Sequence, residues 1–246
     1  MLLGIGLGVV FGAIWFAPYW TPILRKPWAW AILAGSALLS WTAVSFIQIP
    51  LQNWAGQALA HFWSQEVLIR WLRLAGIPQI LLSGLVQEGA KLIPIVTFWF
   101  RSGRNIDPKL GLAIGAVAGL GFGVFEAVWA HNTILAAGWS WEVVRTSGLV
   151  ALIPFWERLS AVAFHIAASA LAGYGLAKGW GWQFYLLASF LHGLMNYGVV
   201  LLASGLFTIV PLEIYVSVVA ALVTGVALWL RWRKSEIVAE SISEVE

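Results

Sequence analysis

Residues 78–100 read Pro-Gln-Ile-Leu-Leu-Ser-Gly-Leu-Val-Gln-Glu-Gly-Ala-Lys-Leu-Ile-Pro-Ile-Val-Thr-Phe-Trp-Phe. Twenty-three residues are enough to cross a hydrocarbon layer of about 30 Å as a helix. The only ionisable groups in the run are Glu88, about halfway along, and Lys91. Helical periodicity puts Gly84, Glu88, Lys91 and Ile95 on one face, with Glu88 and Lys91 as neighbours. A charged group at mid-membrane costs about 2.5–3.5 kcal/mol on insertion scales, so this pair needs partners or water.

The rest of the chain has the same character. Its 246 residues are 61% hydrophobic and 10% charged, with a mean hydropathy of +0.85. Soluble domains carry about 25% charged residues, so a soluble surface is excluded. Apolar runs of spanning length recur at roughly 2–19, 28–49, 78–100, 110–137, 155–177, 182–205 and 208–230. The fold class is therefore all-α: a polytopic transmembrane bundle of about seven helices, in one domain over residues 1–234. Many of the 17 Trp lie near the ends of these runs, where a ring stays dry and its N–H stays wet. Segment 50–73 interleaves apolar with polar residues, including His61, Glu66, Arg70 and Arg73. It reads as an interfacial amphipathic helix or as an eighth membrane element. The first apolar run lacks a basic leader and a small-residue cleavage site, and is expected to remain as a helix.

Lys and Arg set the orientation. With the C-terminus in the cytoplasm, the inner side holds Arg25, Lys26, Arg101, Arg104, Lys109, Lys178, Arg231, Arg233 and Lys234, against Arg70, Arg73 and Arg145 outside. The expected protein is a multi-pass cell-membrane protein with its N-terminus outside. Its acidic tail, 235–246, is expected to be disordered in the cytoplasm. The net charge of +3 tracks topology and gives no reason to expect nucleic acid. The absence of cysteine excludes disulfides and thiol chemistry.

Three more runs carry ionisable groups. Glu126 follows a stripe of Gly111, Gly115, Gly119 and Gly123, the spacing that lets two helices touch backbone to backbone. Glu126 falls on the stripe's face. The fifth run carries Arg158 and, seven residues on, His165. The sixth carries His192 and, one turn further, Asn196. Glu88, Glu126, His165 and His192 thus fall at similar depth on four successive helices, and one shared cluster is the simplest arrangement. Two carboxylates and two imidazoles suit activation of water, with a poorly solvated Glu as base. A His with Asn one turn away suits an oxyanion. The same Glu and His side chains also suit a divalent metal, with Zn²⁺ the natural ion, although no His-Glu-x-x-His spacing is present.

The order Glu88-x-x-Lys91, Phe122-x-x-x-Glu126, Arg158 with His165, and His192-x-x-x-Asn196 resembles the PrsW family of intramembrane proteases. That family belongs with the CAAX prenyl protease and bacteriocin-processing group of glutamate-dependent membrane enzymes. The resemblance covers about residues 78–200. It departs at Gln87, where the family usually has the first of two glutamates. The CAAX branch usually carries His at the place of Glu126, which favours the PrsW-like side. The resemblance implies hydrolysis of a peptide bond in a membrane-linked protein or peptide, in that family sometimes an anti-sigma factor; no cofactor is expected, with Zn²⁺ the alternative. Glu88 would activate water and Glu126 assist, while His165 and His192 bind the scissile carbonyl and its oxyanion. Asn196 would supplement the oxyanion site, and Lys91 and Arg158 tune the charge. Three other readings fit the residues: a proton- or ion-coupled transporter, though no internal repeat is visible; an inactive scaffold that binds membrane peptides; and a metal-dependent hydrolase.

Overall fold

The computed structural model describes residues 1–20 and 22–233; Lys234 and the acidic tail expected to be disordered lie outside them. Among the described residues there is no strand, and seven helical stretches are long and apolar enough to cross a membrane. The helices are α1 (Leu2–Phe16), α2 (Pro27–Ala43), α3 (Ile49–Phe62), α4 (Gln65–Arg70), α5 (Leu72–Ala75), α6 (Ile77–Arg101), α7 (Pro108–Ala136), α8 (Trp141–Ser147), α9 (Ile153–Ala177), α10 (Gly181–Ala203) and α11 (Ile209–Trp232).

The segment left open by the sequence is resolved by a continuous helix. α2 runs through a π-helical turn, Val44–Gln48, directly into α3, so that Pro27–Phe62 forms one stretch of 36 residues. At 1.5 Å per residue this is about 54 Å long, well beyond the hydrocarbon thickness. Pro50 lies just past the π turn and has no N–H to give to the carbonyl four residues back, which accounts for the loosened ladder there. None of the residues of α3, α4 and α5 is buried. Segment 50–73 therefore lies at the end of the bundle and not as an eighth span through its core.

α9 is the central helix. Every residue from Ser160 to Leu176 is buried, against α7, α10, α11 and α1. The glycines of α7 explain how α7 and α9 come so close. A Cβ on Gly111, Gly115 or Gly119 would collide with the carbonyl oxygen of Gly173, Ser169 or His165, respectively. Gly173 meets the Gly111 carbonyl in return. The two main chains are in contact over three helical turns, the geometry that small residues four apart permit. A second stripe, Gly4, Gly8 and Gly12 on α1, seats that helix against Asn132, Val128 and Val124 of α7. α2 closes the other side, with Ser36 Oγ donating to the Ala118 carbonyl at 2.7 Å. On α6, a Cβ on Gly84 would strike the Ser189 carbonyl of α10.

The same glycine contacts position the ionisable side chains. Gly119 and Gly123 set the approach of α7 to His165. Gly84, one turn before Glu88, sets the approach of α6 to α10 three residues before His192.

Candidate active site

The four side chains expected to share a depth meet in two pairs. Glu88 and His192 join α6 to α10, with His192 Nδ1 2.7 Å from Glu88 Oε1. Glu126 and His165 join α7 to α9, with His165 Nε2 2.7 Å from Glu126 Oε2. Lys91 links the pairs: its ammonium donates to Glu88 Oε1 and lies 3.1 Å from His165 Nδ1. The two imidazole rings are 5.3 Å apart. Glu88, Lys91, His165 and His192 are all buried.

The hydrogen bonds fix the tautomers. An ammonium has no lone pair, so His165 Nδ1 accepts from Lys91 and its Nε2–H donates to Glu126. His192 donates Nδ1–H to the Glu88 carboxylate, which leaves Nε2 as the free position of that ring. Phe122 and Phe164 wall the site. Phe122 lies 5.2 Å from the His165 ring with the Lys91 ammonium 5.1 Å from its centroid, and Phe164 stands edge-on to His192 at 5.5 Å. The Phe of the Phe122-x-x-x-Glu126 motif is therefore a packing surface for the cation and the imidazole.

A cavity of about 280 Å³ opens beside this cluster, between α9, α10 and α11. Glu126, His165, His192, Asn196, Glu157 and Arg158 are among its walls. Glu126 thus borders open space, while Glu88 lies behind His192. One oxygen of Glu88, Oε2, is buried with no hydrogen-bond partner. Asn196 donates to Ser83 Oγ at 2.8 Å on α6, which ties α10 to α6 and keeps its second N–H available. Arg158 reaches Glu126 only loosely, at 3.6 Å, because its guanidinium is held by the neighbouring Glu157. A second cavity, about 440 Å³ between α7 and α9, shares Glu126, Glu157 and Arg158 as walls, so these three side chains separate the two spaces.

Sequence reasoning missed two participants, Glu157 and Ser83, and the partner of a third, Gln87. Glu157 sits next to Arg158 and takes most of its charge. Ser83 receives Asn196. Gln87, the residue that departs from the expected pair of glutamates, donates Nε2 to Gln48 Oε1 at 3.0 Å in the π turn. No periodicity links Gln48 to Gln87. The mid-membrane amide at Gln87 is a usable signal, because an amide in hydrocarbon needs a partner.

The sequence matches the model of the PrsW-protease family, described as PrsW family intramembrane metalloprotease, over residues 26–226. The chain belongs to this family. No curated protein and no solved structure matches it. Membership of the PrsW family makes it an intramembrane protease by kind and gives it a membrane protein as substrate class. The match extends well beyond the four motif-bearing helices, back to α2 and forward into α11, the helices that flank α6 and the cavity.

The family description raises a metal, and the site can be tested for one. Glu88, His165 and His192 each offer a donor atom, all within 4.8 Å of one another. Two His and one carboxylate are a donor set that Zn²⁺ accepts, and the orphaned Glu88 Oε2 is a free ligand atom in that group. The residues therefore fit an ion by type. Lys91 already donates to Glu88 and His165, so an ion and the ammonium would compete for the same lone pairs.

Proposed function

We propose that the protein is an intramembrane endopeptidase that hydrolyses a membrane-linked protein with water activated by glutamate. The observation that carries this reading is the pair of Glu–His contacts joined through Lys91 beside a cavity. In this reading Lys91 and His192 hold Glu88 by Oε1, which leaves Oε2 to take a proton from water. The resulting hydroxide adds to the scissile carbonyl carbon. The same proton then passes to the departing amine as the carbon–nitrogen bond breaks, so no other reagent is needed. Removal of a positioned general base lowers such rates by about 10²–10⁴-fold.

The cavity walls assign the remaining roles. Glu126 borders the space and orients the water or the substrate amide, with His165 holding it in place. Asn196 has an N–H to spare for the carbonyl oxygen. His192 holds Glu88 through Nδ1–H and borders the cavity beside Asn196. Arg158 and Glu157 set the charge at the cavity wall. An anti-sigma factor is one membrane-linked substrate compatible with the family resemblance. The Lys and Arg distribution supports placing the N-terminus outside the cell membrane and the C-terminus in the cytoplasm.

A metal-assisted hydrolase is the second reading, favoured by the Glu88, His165 and His192 group and by the family's description. Those three residues would hold the ion, which would supply Lewis acidity toward the carbonyl and a more acidic water. The test is hydrolysis of a fluorogenic membrane-linked peptide by wild type and Glu88→Gln, each with and without exhaustive chelation. The glutamate reading expects Glu88→Gln to be inactive and chelated wild type to retain its rate. Loss on chelation, restored by Zn²⁺, transfers the chemistry to the ion. Full activity of Glu88→Gln removes Glu88 from it.

A further inference from the structure

Glu88 poses a physical problem that the cavity does not solve. The base of a hydrolase needs water, yet Glu88 is 2% exposed, its free oxygen is buried, and it is not among the cavity walls. About 100° round α6 from Glu88, on the side facing the π turn, a line of four glutamines leads away. Gln87, on the same turn as Glu88, donates to Gln48 Oε1 at 3.0 Å. Gln48 Nε2 lies 3.4 Å from Gln52 Oε1. Gln52 and Gln79 then clasp each other, each amide Nε2 donating to the other's main-chain carbonyl, at 2.8 and 2.9 Å. Gln87 and Gln48 are buried, and Gln52 and Gln79 are half-buried near the end of the bundle that carries α3.

We infer that this line is the route by which water reaches Glu88, separate from the cavity that takes the peptide. The inference rests on the hydrolase reading for its purpose, not for its geometry. Each primary amide has two N–H groups and two lone pairs, and the ladder uses only part of that capacity. Gln87 Oε1 is buried with no partner. The spare groups form a polar seam between α2–α3 and α6. The π turn is part of this seam, since it carries Gln48. The two reactants thereby approach the site from different sides, and the substrate need not leave for water to enter. In the proposed orientation the seam opens outward.

The chain has no cysteine, so a single introduced thiol is a unique reporter. Gln48→Cys, Gln52→Cys and the outward-facing control Ile93→Cys would be placed in lipid nanodiscs, exposed to Ag⁺, then denatured and labelled with a maleimide. Ile93 is 54% exposed on the surface expected to face lipid. The expected result is that Ag⁺ protects positions 48 and 52 and leaves 93 fully labelled. Labelling at 48 as complete as at 93, in a protein that hydrolyses its peptide, overturns the inference. A protein that protects 48 but never hydrolyses keeps the water route and discards the protease reading. Independently, Gln48→Leu should lower kcat about tenfold with KM little changed, since the peptide's contacts are untouched. A rise in KM at constant kcat would show that the seam binds substrate and not water.

Discussion

Lys91 Nζ lies 3.1 Å from His165 Nδ1, and this hydrogen bond joins the Glu88–His192 couple to the Glu126–His165 couple. Without it the site would be two separate carboxylate–imidazole couples on two helix pairs. With it, a buried cation balances Glu88 from within α6, one helical turn away, leaving Arg158 free to engage Glu157. The site is thus cross-braced by charge as well as by glycine contacts.

Lys91→Met should leave the Glu88 carboxylate buried without its cation and lower stability by about 3–5 kcal/mol. Lys91→Met combined with Glu88→Gln should be more stable than Lys91→Met alone, because the uncompensated charge is gone. Thermal unfolding of the three variants in one detergent checks this. A double variant less stable than Lys91→Met would refute the pairing.

Glu126→Gln should lower hydrolysis by about ten- to a hundredfold, less than Glu88→Gln, since Glu126 orients and does not take the proton in the proposed scheme. The amide oxygen can still accept from His165 Nε2–H, so the fold should hold. Steady-state rates with one membrane-linked peptide compare the two directly. Equal losses would make the carboxylates interchangeable in role.

Gly119→Ala should force α7 away from α9, since the new methyl meets the His165 carbonyl. Overpacking of this kind costs about 1–3 kcal/mol, and here it also displaces a site residue. Gly6→Ala is the control, because nothing lies within 4 Å of its Cβ. The measurement is melting temperature together with activity; Gly119→Ala should lose both and Gly6→Ala neither.

Gln87→Leu should strand the Gln48 amide and cost about 1–3 kcal/mol, the usual penalty for an unsatisfied buried polar group. Gln48→Leu in the same chain should then add little, because the pair is already broken. Denaturation of the single and double variants tests the coupling; simple additivity would show that the two amides do not support each other.

Much of this arrangement is legible in the amino-acid order. Seven apolar runs correspond to seven spanning helices. Charged groups at mid-membrane point to Glu88, Glu126, His165 and His192, which do converge in space. The glycine stripe on α7 indicates a close helix contact, and its spacing brings Glu126 to that face. What is not legible depends on contacts between distant positions. Gln48 looks like the end of an apolar run until Gln87 is seen opposite it, 39 residues away. Pro50 suggests an end to α2, yet a proline early in a new turn can be absorbed by a π segment, so α3 continues the same rod. Gly4, Gly8 and Gly12 repeat the spacing of the α7 stripe, but in a run without ionisable residues they carry no chemical signal. The sequence puts Asn196 near the carbonyl site; its bond to Ser83 depends on the rotation of α10 against α6, which periodicity alone does not fix.

The contact between α7 and α9 has a consequence for how such an enzyme can diversify. Where carbonyl oxygens and α-carbons touch, no rotamer change can alter the helix separation, so the distance between the main chains that carry Glu126 and His165 is fixed. New substrate preferences must then be written on the opposite walls, in Met195, Val199, Leu212 and Val216 of α10 and α11, which line the cavity with ordinary replaceable side chains. One half of the site keeps the reaction, and the other half is free to drift.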